Sequence, residues 1–350
     1  GRTVTHSDRR FAYEEGQENI DKQEGDFYQE LTLLNDLAKK LRKRRFDKGA
    51  VNFETVEVKF KLDEKGKPLG LFVKERKDIH KLIEEFMLLA NRTVAEFVFN
   101  KDKGKDTFVY RIHDHPDAER LETFANFAKK FGHEMKIGEG TRISMALNKL
   151  MEEILGKPEQ NVLEQLAIRS MAKAKYTTEA KGHFGLAFQH YTHFTSPIRR
   201  YPDMMVHRLL QHYLDGGKSP EAETWEDKCL HSSEREKRAA DSERASIKYK
   251  QVEFMSLAEE KDYDGIVTGV TEWGVFVEIT ETKCEGMIRV QDMKDDYYQF
   301  DEKNMRLIGT RNKKMITLGE KVMVRVVATD IDRRTIDLEF ADNEPRNKRR

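Results

Sequence analysis

A chain of 350 residues exceeds the usual size of one domain, so about two domains of 100 to 200 residues each are expected. Its 63 basic residues balance 63 acidic ones, so the net charge identifies no partner and only local clusters of charge can. The two cysteines, Cys229 and Cys284, lie in different predicted elements, which argues against a disulfide framework and a zinc site, and no apolar run approaches the ~20 residues of a membrane span.

The first part of the chain predicts a short strand and a basic helix. The sequence begins at Gly1 without an initiator methionine and reaches a strand-like stretch at residues 10–13, followed by an acidic turn. Over residues 26–45 apolar residues recur at helical spacing, and this segment ends in the basic run of residues 39–45. These features indicate an amphipathic helix in a chain cut from something longer.

A hairpin and a series of helices follow. Residues 53–60 alternate apolar and polar, and Gly66, Lys67 and Pro68 can turn the chain into a second strand at residues 69–73. Helical spacing then predicts helices over residues 79–99, 118–131, 143–155, 162–174, 202–214 and 222–259. We therefore expect this half of the chain to be rich in helix.

The period changes from helical to strand-like at Lys261. The strand-like runs span residues 263–270, 274–279, 286–290, 321–330 and 335–340. Five short strands within about 80 residues predict a small β-barrel. The basic tail at residues 343–350 has nothing to pack against, so we expect it to be disordered.

The sharpest motif is the run Gly-His-Phe-Gly-Leu-Ala-Phe-Gln-His-Tyr, followed shortly by His-Phe-Thr-Ser-Pro-Ile-Arg-Arg-Tyr-Pro-Asp. Ser196 or Thr195 can cap a helix that Pro197 starts, and backbone N–H groups at a helix start favour an anion. Arg199 and Arg200 would stand at this phosphate-binding end. The plain alternative is an ordinary helix start with exposed arginines.

This motif resembles the signature of the catalytic RNB domain of the ribonuclease II/ribonuclease R family, and its Arg-Arg-Tyr-Pro-Asp run is most similar to the ribonuclease R branch. The resemblance extends upstream to residues 49–60 and 81–98, and the strand-rich end resembles the OB-fold that follows the RNB domain. It implies an α+β protein. An RNB domain lacking its N-terminal part would span residues 1–259, and a five-stranded OB-fold β-barrel of the ribosomal protein S1 type would span residues 260–342, before the tail at 343–350.

The resemblance assigns roles to individual residues. Arg199 matches the phosphate-binding arginine at the scissile linkage, where a guanidinium can stabilise charge on the phosphoryl oxygens, and Arg200 is its neighbour. Phe53 matches an aromatic residue that stacks on a terminal base, with core packing as the alternative. Glu243 matches an acidic residue of the active-site wall, with a solvated helix face as the alternative.

Two further residues match a pair that contacts ribose in this family. Tyr13 and Glu84 would supply a hydroxyl and a carboxylate, which together can recognise the 2′-OH and so separate RNA from DNA. Glu85 replaces Glu84 if the match is shifted by one position. The alternatives are an exposed tyrosine at a strand end and a solvated helix face.

The acidic metal site of the family has no counterpart in the sequence. Family members hydrolyse RNA with two metal ions held on closely spaced aspartates, which implies Mg²⁺ as the cofactor of the full-length enzyme. The nearest acidic group, Asp292, Asp295, Asp296 and Asp301, lies in the barrel region and is interpreted as a solvated loop. No metal ligand is therefore assigned, and the chain is expected to open downstream of the aspartates and to be inactive alone.

The predicted barrel offers its own RNA contacts. Trp273, Phe276 and Arg289 are candidates, because OB-folds bind single strands with exposed aromatic side chains in a basic groove. Either aromatic residue can instead belong to the core. Phe276 stands between two valines, so its sequence context does not decide between the two.

The resemblance implies a processive 3′-to-5′ exoribonuclease that degrades single-stranded RNA to nucleoside 5′-monophosphates. We expect a soluble, cytoplasmic monomer with no membrane contact, and with the ribosome or RNA-decay factors as further partners. One alternative is a non-catalytic RNA-binding protein that keeps an RNB-like channel and the OB-fold. Another treats the barrel as a ribosome- or RNA-docking module and the helical half as a scaffold.

Overall fold

The computed structural model describes residues 4–52, 57–74, 76–138, 140–157 and 159–341. The chain forms two compact units. The first comprises Gly1–Glu54, Glu75–Leu155 and Leu166–Arg238, and the second comprises Thr55–Lys74, Gly156–Gln165 and Ala239–Arg350. The mixed helix and sheet content confirms the predicted α+β class.

Helices dominate the first unit, as predicted. Their bounds are α1 Tyr13–Lys22, α2 Tyr28–Asp47, α3 Asp78–Asp102, α4 Ala118–Lys130, α5 Thr141–Ile154 and α7 Tyr201–Leu214. Two more, α6 Gln160–Ser170 and α8 Ala222–Ser256, have residues in both units. A short antiparallel pair, β3 Tyr110–Ile112 and β4 Lys175–Thr177, completes this unit and was not predicted.

The core of the first unit forms around this short pair of strands. Tyr110, Ile112 and Tyr176 are buried there against Ala95 and Val98 of α3. The same cluster includes residues of α7 and Cys229 of α8. Since both strands contribute large buried side chains, they hold the helices in place despite their length of three residues each.

The predicted strand at residues 10–13 is wrong, because Tyr13 begins a helix. Glu14 and Glu15 occupy the first turn, where carboxylates interact favourably with the helix dipole. Gln17 then docks α1 on α3, since its side-chain oxygen accepts the backbone N–H of Ile79 at 2.9 Å. The helix has only 10 residues, so its apolar pattern was too short to be recognised after the strand-like run.

In the second unit, the predicted hairpin is confirmed. Strand β1 Glu57–Leu62 pairs antiparallel with β2 Pro68–Lys74. Asp63 caps the turn by accepting the backbone N–H groups of Lys65 and Lys67, and Gly66 adopts φ +79°, a conformation that suits glycine. Residues 53–56, including Phe53, lie outside the described residues.

The five predicted strands of the C-terminal region form a closed barrel in the order β11-β12-β7-β6-β5. Their bounds are β5 Asp262–Val270, β6 Gly274–Ile279, β7 Glu285–Arg289, β11 Lys321–Asp330 and β12 Thr335–Phe340. Gly286 permits closure between β7 and β12, because a Cβ atom there would lie 2.8 Å from the carbonyl oxygen of Ile336. The predicted five-stranded barrel is therefore confirmed.

A second sheet in this region was missed. Its strands are β8 Tyr298–Asp301, β9 Arg306–Gly309 and β10 Met315–Thr317. The interpretation of the acidic residues here as a solvated loop is wrong for Asp296, which is buried and accepts three backbone N–H groups. It is also wrong for Asp301, which ends β8 and pairs with Arg306 at 2.9 Å.

The C-terminal half of α8 joins the hairpin and the barrel within the second unit. Phe254 lies 6.1 Å from Phe60 of β1, measured between ring centroids. Lys248 donates to the carbonyl oxygen of Glu285 on β7 at 2.5 Å, and burial lowers the pKa of this lysine. No helix within the described residues combines the length and the apolar character needed to cross a membrane.

A buried ion pair links α2 and α3 in the first unit. Arg45 donates to Glu85 at 2.5 Å, and the two side chains are 6% and 3% exposed. The next residue back, Glu84, pairs instead with Arg76, and both of these side chains are substantially exposed. The two adjacent glutamates therefore make the same kind of ion pair in very different surroundings.

We expect Glu85→Ala to lower the free energy of unfolding of the first unit by about 3 to 5 kcal/mol, because the Arg45 guanidinium would stay buried without its partner. The matched control Glu84→Ala should cost less than about 1 kcal/mol, as exposed ion pairs do. Urea unfolding followed by the fluorescence of Trp225, in a Trp273→Phe background, measures this unit. Equal losses in the two variants would contradict the expectation.

Candidate functional site

Two buried polar side chains fix the turn that contains the predicted arginine pair. The side-chain oxygen of Asn91, on α3, accepts the backbone N–H groups of Phe194 and Thr195 at 2.9 and 3.2 Å. Its amide nitrogen donates to the hydroxyl of Tyr191 at 3.0 Å. Asn91 is 3% exposed, so these bonds are shielded from water and hold the start of the turn to α3.

Asp203, on α7, holds the rest of the turn. Its Oδ1 atom accepts the backbone N–H of Ser196 at 2.7 Å and a guanidinium N–H of Arg200 at 2.9 Å. The carboxylate has no exposed surface. Within the described residues, Asp203 Oδ2, Arg200 Nε and Thr195 Oγ1 are buried without a hydrogen-bond partner.

The structure corrects the predicted helix start. Helix α7 begins at Tyr201, with Arg200 in the capping position and Pro202 in the first turn, so neither Ser196 nor Thr195 caps it and Pro197 precedes it. The backbone N–H groups of residues 194–196 are donated to Asn91 and Asp203, and those of Arg199 and Arg200 are donated to the carbonyl oxygen of Ser196. These five N–H groups are therefore not available to a phosphate, whereas the Arg199 side chain is exposed.

The two arginines of the turn have different surroundings. Arg199 is exposed, and its guanidinium donates to the hydroxyl of Ser196 at 3.3 Å. Arg200 is turned inward, with its side chain 22% exposed and bonded to Asp203. Arg199 is consequently the arginine whose guanidinium is available to a phosphate, whereas Arg200 stabilises the turn.

The structure places Tyr13 and Glu84 on neighbouring elements. Tyr13 is 47% exposed at the start of α1 and stacks on His80 of α3, with ring centroids 4.2 Å apart. Glu84 follows His80 by four residues on the same helix, so the two side chains share one face of α3. Glu85, the alternative to Glu84, is occupied by its buried pair with Arg45.

A cavity of about 760 Å³ lies within the first unit and was missed by sequence reasoning. Its wall carries the cations Lys48, Arg92 and Lys181. Histidines, carboxylates and phenylalanines complete the polar and aromatic lining: His113, His115, His183, Glu96, Asp114, Phe184 and Phe188. Cations suit phosphate groups and aromatic rings suit bases, so this lining fits part of a nucleic-acid strand.

The cavity is assembled from segments far apart in sequence, so no local sequence pattern predicts it. Helix α3 supplies Arg92, whose guanidinium lies 5.5 Å from the centre of the Phe188 ring. Residues 182–189 of the sharpest motif supply another wall. A second, smaller cavity shares Lys48, Arg92 and Phe188 with the first and reaches the basic end of α2. At that end of α2, Arg45 is buried and Arg44 is exposed.

Two neutral histidines hold this motif segment in shape. His113 accepts the backbone N–H of Gly185 on Nδ1 at 3.1 Å, and its Nε2 lies 2.9 Å from the carbonyl oxygen of Ala172. His183 accepts the backbone N–H of Leu186 at 3.3 Å. Burial lowers the pKa of His113. Burial, together with the neighbouring His113 and Arg111, lowers the pKa of His183 to about 3. The loop therefore depends on uncharged imidazoles.

In the second unit, the three candidate RNA contacts of the barrel lie on β6, on β7 and in the turn before β6. Trp273 is 73% exposed in that turn. Phe276 is half-buried and alternates with the fully buried Val275 and Val277, so its ring is on the outer face of the barrel. Arg289, across from Gly274, donates to both carboxylate oxygens of Asp337.

The remaining candidates belong neither to the lining of the large cavity nor to the three barrel contacts. Glu243 is exposed on α8, in the second unit. Phe53 lies outside the described residues, and so does the basic tail at 343–350. Arg199, Tyr13 and Glu84 do not line the large cavity. The roles assigned to these residues stay predictions.

The described residues do not fit the two-metal site that the resemblance implies. No group of three or more His, Cys, Asp or Glu side chains in this part of the chain is arranged to hold a metal ion. Asp296, the most buried of the aspartates in the barrel region, is bound by backbone N–H groups and Arg311. Its carboxylate oxygens are therefore committed to the protein itself.

Comparison with known proteins adds to this geometry. Residues 1–216 match the RNB domain, and residues 256–340 match the S1 RNA binding domain. Ribonuclease R 1 of Lactococcus lactis is 39% identical over 317 residues, which are 89% of this chain and 38% of that protein. Ribonuclease R of Aquifex aeolicus is 34% identical over 349 residues, which are 97% of this chain and 49% of that protein. The chain thus spans less than half the length of these relatives.

A solved structure shares the fold. Mycoplasma genitalium RNase R, in complex with ribose methylated single-stranded RNA, superposes with a TM-score of 0.87 at 24% sequence identity. The match covers 95% of this chain and 53% of that one. At this identity the likeness concerns the fold, and it extends over nearly the whole chain.

The neutral histidines predict a loss of stability in mild acid. Burial lowers the pKa of His183 to about 3 and that of His193 to about 2, whereas an unfolded histidine titrates near about 6.5. The unfolded state therefore takes up protons first, and stability is complete above about pH 6.5 and falls below it. Between about pH 7.5 and 5.5, each histidine should cost about 1.4 kcal/mol.

Urea unfolding followed by Trp225 fluorescence at the two pH values measures this loss. His183→Gln should show a shallower pH dependence, because the amide keeps an acceptor for Leu186 but does not titrate. His231→Gln, at an exposed position on α8, serves as the control and should keep the wild-type dependence. Unchanged stability of the wild type between the two pH values would contradict the role of the neutral histidines.

Proposed function

Because this chain belongs to the RNB family, we propose that it forms part of a processive 3′-to-5′ exoribonuclease, which hydrolyses single-stranded RNA to nucleoside 5′-monophosphates. The observation that carries the proposal is the identity of 34 to 39% with ribonuclease R proteins across 89 to 97% of this chain. The S1 match at residues 256–340 supports RNA as the ligand.

The turn at residues 194–203 supplies the phosphate contact in this proposal. Arg199 binds the phosphate at the scissile linkage through its exposed guanidinium, and the charge that builds on the phosphoryl oxygens is stabilised there. Asn91 and Asp203 fix the backbone around it, so little ordering is needed when RNA binds. Arg200 is the neighbouring RNA contact, and its side chain, 22% exposed, is also bonded to Asp203.

Other residues grip the RNA end. Tyr13 and Glu84 recognise ribose, and Phe53 stacks on a terminal base. Glu243 contributes to the wall of the site. The large cavity, with Lys48, Arg92 and Lys181, accepts part of the strand, and its phenylalanines pack on bases. Trp273, Phe276 and Arg289 of the barrel add contacts along the single strand.

Hydrolysis in the family uses magnesium, and the described residues supply no cluster to hold it. For the chain as given, we therefore propose binding of single-stranded RNA with little or no hydrolysis. The setting is the cytoplasm, the protein acts as a monomer, and the ribosome and RNA-decay factors are further partners. A non-catalytic RNA-binding protein with the same fold is the second candidate. Sequencing the parent gene separates the two candidates. An Asp-x-Asp-Asp type cluster encoded upstream supports the enzyme, and its absence supports the RNA-binding protein.

The purified 350-residue chain should bind single-stranded RNA and release few nucleoside monophosphates in the presence of magnesium. Fluorescence anisotropy with a labelled oligonucleotide of about 20 nucleotides gives the affinity, which should fall as salt rises from about 50 to 200 mM. Chromatography of the products gives the hydrolysis. Robust, magnesium-dependent release of monophosphates by this chain would refute the proposed inactivity, and absence of RNA binding would refute the proposed function.

The adjacent arginines allow a matched test in the full-length protein. Arg199→Ala should lower turnover by about 100-fold or more with little loss of RNA affinity, because its contact strengthens as charge develops. Arg200→Ala should instead lower the free energy of unfolding by about 3 to 5 kcal/mol, since it leaves the buried Asp203 without its cation. Single-turnover kinetics and urea unfolding of both variants separate these effects. Unchanged turnover in Arg199→Ala would favour the reading of the helical half as a scaffold.

A further inference from the structure

The missed sheet of the second unit carries an exposed aromatic and basic corner. We define this corner as Tyr297, which precedes β8, and Arg311, Lys313 and Lys314 in the turn between β9 and β10. Tyr297 is 79% exposed, the highest value among the tyrosines within the described residues. The Arg311 side chain is 74% exposed, and both lysines are exposed as well.

A buried carboxylate builds the corner from two separate segments. Asp296 Oδ1 accepts the backbone N–H of Tyr297, and Oδ2 accepts those of Arg311 and Asn312, all at 2.7 Å. Arg311 Nε adds a bond of 3.3 Å to Oδ1. Burial raises the pKa of Asp296, but the bonds from these backbone N–H groups outweigh it, and the net pKa lies well below the ordinary value. The carboxylate therefore stays charged and keeps the corner assembled.

The same arrangement brings the tyrosine and the arginine side by side. Thr310 donates its backbone N–H to the carbonyl oxygen of Tyr297 at 2.8 Å, which ties the turn to the residue before β8. The guanidinium of Arg311 lies 5.9 Å from the centre of the Tyr297 ring. Backbone hydrogen bonds therefore hold the Tyr297 backbone beside Arg311, while the ring of Tyr297 remains mostly exposed.

The chemistry of the corner fits a single strand of RNA. An exposed ring accepts a base by stacking, and a neighbouring arginine and lysines accept the phosphates on either side. An acidic protein segment would use the cations but would not need the open ring. Asp295 is the nearby exposed carboxylate, and it is bonded to the hydroxyl of Tyr298, so the cations predominate at the corner.

We propose that Tyr297, Arg311, Lys313 and Lys314 form a second contact surface for single-stranded RNA in this unit, separate from the barrel face of Trp273, Phe276 and Arg289. The proposal rests on the RNA binding put forward under the proposed function. The proposed RNA-binding surface would then include the sheet of β8, β9 and β10 in addition to the closed barrel.

Binding of the full 350-residue chain to labelled oligo(A) and oligo(U) of about 20 nucleotides tests the corner. Tyr297→Ala should weaken binding by about tenfold, while Tyr297→Phe, which keeps the ring, should stay within about twofold of the wild type. Lys313→Ala and Lys314→Ala should each lower the slope of affinity against salt by about 0.7. Met315→Ala, at an exposed apolar position of the same sheet, is the matched control and should have no effect.

The outcomes separate this inference from the proposed function. Wild-type binding together with unchanged affinity in Tyr297→Ala and Arg311→Ala would overturn the inference and leave the proposed function standing. Absence of RNA binding by the wild type would overturn both. If Lys313→Ala and Lys314→Ala keep their RNA affinity but lose binding to an oligoglutamate probe, the surface serves an acidic protein partner and the inference is wrong. Ultraviolet crosslinking of a 4-thiouridine oligonucleotide to Tyr297 would support it directly.

Discussion

Two buried side chains determine what the arginine turn can do. Asn91 and Asp203 accept the backbone N–H groups of three successive residues, 194 to 196. Leaving such buried groups unpaired costs about 1 to 3 kcal/mol each, so the turn has little freedom to rearrange. Because these backbone donors are used internally, the proposed phosphate contact depends on the exposed Arg199 side chain. The N–H groups of residues 194 to 196 are therefore not available to an anion, and their bonds hold the backbone beside Arg199 in place.

Helix α3 extends this constraint to the rest of the first unit. Its successive turns carry His80 against Tyr13, Glu85 against Arg45, Asn91 against the turn, and Arg92 in the cavity wall. Glu85 and Asn91 belong to the same buried stripe as the apolar residues Leu82, Leu88 and Ala95, so apolar packing and polar contacts hold the same face of the helix. A shift of α3 would therefore disturb the predicted ribose contacts and the arginine turn together.

The parts that were predictable from sequence are those with a strong local period. Strands β6 and β7 of the barrel alternate buried and half-buried residues, and most helices repeat apolar residues over several turns. The sheet of β8, β9 and β10 was missed because its strands have three or four residues, and β8 and β9 each carry a charged one. Asp296 and Asp295 look alike in sequence, yet one is buried and the other exposed. The cavity depends on distant segments, and no local pattern marks it.

The balanced charge of the chain conceals how its cations are distributed. Several arginines are neutralised inside the protein, as Arg45 is by Glu85 and Arg200 is by Asp203. Others have exposed side chains, as Arg199 and Arg311 do, although Arg311 also bonds to Asp296 through Nε. In both of these cases a buried aspartate orders the backbone nearby, Asp203 in the first unit and Asp296 in the second. Buried carboxylates thus do not cancel the positive surface. They order the backbone beside the two arginines for which phosphate contacts are proposed.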